Sequence, residues 1–184
     1  MRRLRWPAVL VVSATLAAGC AGDDTNGEGT TTTSRGTVTS APTTFSPADG
    51  TIAVQVFFLD EDAFNIGRPP YVTPVERQVD ADQPAAGALD ALFAGPTAEE
   101  SAGGLRFVAS EATGYTGLRI EDGTAHVQLT GGCSSGGSTF TIAGEIVPTL
   151  TQFSEVEAVK VYDPEGNTGA PDEPGDSIPF CLEP

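Results

Sequence analysis

Apolar side chains recur at Ala85, Ala88, Leu89 and Leu92, the i, i+3, i+4, i+7 spacing of one helical face. The spacing predicts a helix that opens at Pro84, led in by Asp82 or Gln83. It stops at Gly95-Pro96, since glycine takes the left-handed closing conformation and proline has no N–H to continue the ladder. Before it, Ile52 to Leu59 is a β-branched and aromatic run that reads as a buried strand, followed by a polar loop from Asp60 to Tyr71. A second strand runs from Val72 to Val79, with Pro74 placing it at a sheet edge or a bulge.

After Leu105 a loop with Gly114 and Gly117 leads into a hairpin. Leu118 and Ile120 alternate before Asp122-Gly123, and Ala125, Val127 and Leu129 after it, the two halves of a tight turn that needs positive φ. Thr130 to Ser138 is a Gly/Ser loop that holds Cys133, lacks the Gly-Lys-Ser/Thr ending of a phosphate loop, and offers Ser138 as a helix cap. A second helix is expected from about Thr139 to Phe153, striped by Ile142, Ile146, Leu150 and Phe153, with Pro148 kinking it or delaying its regular start. Val156 to Tyr162 is the last strand, and the tail from Asp163 to Pro184 is acidic and rich in Pro and Gly.

One polar residue breaks the pattern. Val75, Arg77 and Val79 share a strand face, so Arg77 points where apolar side chains point. Asp90, Glu99 or Glu100 near the helix is its expected partner, in a structural ion pair or as part of ligand recognition.

Composition bears on the address. Arg2, Arg3 and Arg5 precede an apolar run from Trp6, and small residues precede Cys20, so residues 1–19 read as a leader that is too short to span a bilayer. Leu16-Ala17-Ala18-Gly19-Cys20 resembles the lipobox of bacterial lipoproteins, although Ala17 stands where that motif has Leu, Val or Ile. The resemblance implies acylation of Cys20 and a lipid anchor on the extracytoplasmic face of the cell membrane. Residues 20–50, mostly Gly, Thr, Ser, Asp and Pro, cannot bury enough surface to fold and read as a tether. Residues 51–184 then form one domain, with its core at 54–162 and its tail at 163–184. Losing the three leader arginines takes the formal charge from −16 to −19, a surface that repels nucleic acid. With Cys20 used by the lipid, Cys133 and Cys181 are expected to form a disulfide that pins the tail.

The order FFL strand, PVERQV strand, ALDALFAGPTAEE helix and turn, AHVQL hairpin, then TLTQF and a Val-rich strand resembles the GerMN domain, the sporulation and germination domain of GerM-type proteins. The likeness covers roughly Val54 to Tyr162. It implies an α/β (α+β) domain with two helices packed on a mixed or antiparallel sheet, in a family typical of envelope lipoproteins in spore formers and actinobacteria. No catalytic motif comes with it. The Gly/Ser loop, the Cys181 tail and Pro148 depart from its usual pattern.

The catalytic inventory is short. His126, the one histidine, lies opposite the apolar face of its strand and reads as exposed, and Lys160, the one lysine, likewise alternates with Val159 and Val161. A zinc site would need more His or Cys than the disulfide leaves. Asp163, Glu165 and Asn167 have the alternating oxygen spacing of a calcium loop, without Gly at its sixth position or Glu at its twelfth. No cofactor is expected. The expected function is a non-catalytic interaction module that docks on an envelope protein or on copies of itself. The alternative is a cell-wall enzyme or ligand carrier acting on peptidoglycan through an acidic cleft near Asp90, Glu99 and Glu100.

Overall fold

The computed structural model describes residues 50–184. The expected leader, the lipid-bearing Cys20 and the tether therefore lie outside the described residues. The fold is α+β, and its strands divide into two three-stranded sheets rather than one. In the first, β1 (Thr51–Asp60) pairs antiparallel with β2 (Val72–Asp80) along an unbroken register, from Thr51 opposite Asp80 to Leu59 opposite Val72. The short β3 (Leu105–Arg106) pairs with only the last two residues of β1. Pro74 thus lies on an edge strand, not at a bulge. In the second sheet β4 (Ala112–Glu121) and β5 (Thr124–Gly131) form the expected hairpin, turning through Asp122 at φ 49° and Gly123 at φ 78°. A parallel neighbour needs a crossover, and α4 (Ala143–Thr151) provides it between β5 and β6 (Ala158–Tyr162).

The chain expected to need one sheet forms two because α4 occupies the free edge of β1. Alternate N–H groups of a strand point to the same side, about 6.7 Å apart, close to the rise over four helical residues. Leu59, Phe57 and Gln55 donate their N–H groups to Glu145 Oε1 at 2.9 Å, Thr149 Oγ1 at 3.1 Å and Gln152 Oε1 at 2.8 Å. Gln152 Nε2 returns a bond to the Gln55 carbonyl at 2.6 Å. Helical side chains here replace a strand, and the apolar face of α4 remains free to bury Ile146 and Leu150.

The core joins both sheets. Ala85, Ala88, Leu89 and Leu92 of α2 (Pro84–Ala94) are buried together, as their spacing predicts, and Val56, Phe58, Val127, Leu129 and Val159 meet them or their neighbours. Gly87 sits where a Cβ would come within 2.6 Å of Val79 Cβ, so only glycine lets α2 approach β2 this closely.

Four local expectations change. The loop after Asp60 begins as a helical turn, α1 (Glu61–Asn65), because the Asp60 carboxylate accepts the Ala63 N–H. A further short helix, α3 (Ala98–Ala102), follows α2. The loop expected around Gly114 and Gly117 is the start of β4, whose pairing is irregular at both glycines. The second helix begins only at Ala143 and runs through Pro148, and Ser138 caps no helix: its hydroxyl bonds the N–H and carbonyl of Phe140 instead. Cys133 and Cys181 are bonded, with Cα atoms 5.7 Å apart. Closing the 48-residue separation is worth about 4 kcal/mol in the loop-entropy model.

Candidate functional site

Arg77 emerges from the first sheet beside Phe58, its guanidinium 5.9 Å from that ring's centre. It meets Glu100 with two parallel bonds, Nη1 to Oε1 at 2.8 Å and Nη2 to Oε2 at 2.5 Å. Glu100 is aimed by α3. The Thr97 hydroxyl accepts the Glu100 N–H and the Glu100 carboxylate accepts the Thr97 N–H, a capping box that fixes the first helical turn. The bond from Arg77 holds the Glu100 carboxyl down at about 2, and the same bond raises Arg77. Of the three acidic residues considered for Arg77, Glu100 takes the place.

The other two do not join it. Asp90 accepts the Tyr115 hydroxyl at 2.9 Å, which is also within 3.1 Å of the Ala86 carbonyl. Burial, then Asp90, pushes the Tyr115 phenol upward. Glu99 is exposed on α3. The three carboxylates are therefore committed separately, to an aromatic hydroxyl, to solvent and to a guanidinium. The calcium-like spacing also closes on itself, because Asp163 accepts the N–H and side-chain amide of Asn167 while Glu165 faces solvent. Among the described residues no group of His, Cys, Asp and Glu is arranged to hold a metal ion.

Three residues carry more structure than their sequence pattern shows. Lys160 is buried, not exposed, and its Nζ donates to the carbonyls of Ala170, Pro171 and Glu173 at 2.7, 2.6 and 2.7 Å. The tail reaches it by pairing Ser177 against Val159 and Val161 along the outer edge of β6. His126 is half-buried, with Nδ1 2.9 Å from the Tyr162 hydroxyl. Glu145 is fully buried with no cation paired to it among the described residues, and its second oxygen accepts the Val108 N–H at 3.0 Å. Burial lifts its carboxyl to about 8 despite the two N–H donors. Its one sequence signal is a carboxylate next to the Ile142/Ile146 stripe.

The outer side of β2 bears no strand among the described residues. Its exposed side chains are Pro74, Glu76, Gln78 and Asp80, and Arg77 with Glu100 anchors the strand from the opposite face. The edge keeps main-chain groups for an added strand around Val72 and Gln78, while Pro74 has no N–H and the Glu76 and Asp80 carbonyls already accept Arg77 Nη1 at 3.1 Å and the Gln83 N–H at 3.3 Å.

A family model named Germane, described as sporulation and spore germination, matches residues 55–167. Among solved structures the chain is similar to the tandem GerMN domains of the sporulation protein GerM from Bacillus subtilis, at 23% identity and a TM-score of 0.45, over 77% of this chain and 51% of that one. It is also similar to the first GerMN domain of that protein, at 21% identity and a TM-score of 0.44, over 72% of this chain and 96% of that one. The chain thus spans about half the length of the tandem structure. Among curated proteins none matches it.

Proposed function

The chain belongs to the Germane family of sporulation and spore germination, and from that premise we propose that it is a membrane-anchored, extracytoplasmic lipoprotein whose folded domain is a non-catalytic assembly module of the cell envelope. Cys20 carries the lipid, residues 20–50 act as the tether and residues 51–184 as the module. The occupant of the β2 edge is an extended segment of an envelope protein, added as a further strand of the first sheet. The observation that carries this reading is the outer edge of β2, Val72 to Asp80, which pairs with no strand among the described residues and is braced by Arg77 and Glu100. The enzymatic alternative loses its support because Asp90, Glu99 and Glu100 have separate commitments, and a carboxyl held at about 2 is a poor proton donor near neutrality.

The test uses the full-length chain in its own cells, with photo-crosslinking side chains placed at Glu76, Gln78 or, as a control, at Asp172 on the tail. Crosslinks to one envelope protein from the β2 positions and not from Asp172 support the reading. Crosslinks between copies replace the partner with self-assembly, and equal labelling from all three positions overturns the edge as a docking surface. Loss of fatty-acid labelling in Cys20→Ala checks the anchor, and labelling that persists there refutes it.

A further inference from the structure

The outer face of the second sheet carries a row of nitrogen side chains. Arg119 of β4 stands directly opposite His126 of β5, which in turn is the register partner of Lys160 on β6. Register partners on neighbouring strands project from the same face, and Ala125, Val127 and Leu129 fill the other face of β5. A second row, Thr116, Gln128 and Tyr162, runs parallel to the first. Between the rows lies a pocket of about 190 Å³, lined by Gly117, Arg119, His126, Gln128, Tyr162 and Gly166.

None of these six residues is acidic, in a chain with 25 Asp and Glu. The last member of the first row, Lys160, stands beside His126 on the neighbouring strand. Lys160 is held by three neutral carbonyls, and among the described residues no carboxylate pairs with it. Arg119, at the rim, meets Glu121 at the long distance of 3.4 Å. Tyr162 stacks on His126 with ring planes 21° apart and fixes the imidazole through Nδ1. Gln128 is fixed by its bond to the Pro164 carbonyl at 3.0 Å, which also holds the tail as one wall. His126 and Gln128 are therefore positioned before anything binds, a condition that lowers the ordering cost of a ligand.

We propose that this pocket binds a small oxyanion, a carboxylate or phosphate group, between Arg119, His126, Gln128 and Tyr162. Arg119 supplies a planar fork of N–H donors, His126 and Gln128 supply further donors, and Lys160 supplies charge from the neighbouring strand. The electrostatics of the unliganded pocket agree. Burial, then Arg119, holds the imidazole below its ordinary value, with Lys160 adding to this and Glu121 opposing it. An anion reverses the sign of the local field and draws the His126 pKa upward.

Because His126 is the only histidine, its imidazole proton resonances report on this one pocket. The full chain in detergent is titrated with inorganic phosphate, and separately with acetate, at ionic strength held constant with sodium chloride. Saturable movement of the His126 resonances, with its titration midpoint raised, is expected. Arg119→Gln weakens the half-saturation concentration by about tenfold, the effect of one lost charged contact, with an unchanged melting temperature. Tyr162→Phe, which keeps the stack and loses the hydroxyl, weakens it as well. Saturation by phosphate alone identifies a phosphate group, and saturation by acetate alone a carboxylate. Linear, unsaturating movement with both anions, or saturation equal in wild type and Arg119→Gln, overturns the proposal.

Discussion

At the residue scale, Glu100 does two jobs with one carboxylate: it closes the capping box on Thr97 and grips Arg77. Glu100→Ala removes both, and the expected loss of unfolding free energy is about 1–2 kcal/mol, a cap plus a partly exposed pair. Thr97→Ala removes the other half of the box, the bond to the Glu100 N–H, and urea unfolding compares the variants. Arg77→Ala spares both halves of the box, and an unfolding free energy equal to wild type there would show that the pair contributes nothing measurable. Alternation along the strand singles out Arg77, but its partner is set by where α3 begins, at the Thr97 cap, and this turns Glu100 rather than Glu99 inward. Lys160 and His126 were less legible for a related reason. Alternation places both on the outer face, and it carries no information on what covers that face. The cover is the returning tail, whose carbonyls at 170, 171 and 173 come from beyond the strand.

At the element scale, both ends of α2 are legible because its stripe faces one layer and its stop is written as Gly95-Pro96, although Gly95 ends it at φ 81° and ψ 177° and not in the left-handed helical conformation. What its pattern omits is distance. Gly87 lies off the stripe, and its role becomes visible only against Val79, where an added Cβ would sit 2.6 Å from the Val79 Cβ. Gly87→Ala gains helix propensity yet is expected to destabilise by about 1–3 kcal/mol, because overpacking forces the helix and β2 apart. Chemical denaturation measures this, and a stabilised variant would mean that the contact relaxes freely. In the sequence only the apolar stripe of α4 is legible. Its polar face, Glu145 and Thr149 with Gln152 just past its end, resembles a solvent face in sequence, yet each of these side chains meets a strand N–H of β1. The division into two sheets follows from that substitution, and no local signal distinguishes a helix that caps a strand edge from one that faces water.

At the scale of the whole molecule, two carboxylates set opposite limits on stability against pH. Glu100 is held at about 2, below the 4.5 of an unperturbed glutamate, so its contribution is fully present above 4.5 and is lost as the pH falls through about 2. Glu145 is lifted to about 8, so the folded state holds a proton that the unfolded chain releases near 4.5. Its contribution is full below 4.5 and disappears as the pH rises through about 8. The formal charge of −16 adds self-repulsion in the same direction as carboxylates ionise. Stability should therefore peak near pH 4–5 and fall by roughly 4–5 kcal/mol toward pH 8, the order expected for a carboxyl this strongly shifted. Salt separates the two causes, since screening weakens the surface repulsion and leaves a fully buried group almost untouched. Glu145→Gln cannot titrate, so its melting temperature should lose the salt-resistant part of the slope between pH 5 and 8. It should also melt lower than wild type at pH 5, because the amide turns an N–H toward the N–H of Leu59 or Val108. A wild-type melting temperature that climbs from pH 5 to 8 in high salt would mean that Glu145 is ionised in the core, with the two backbone N–H groups outweighing its burial.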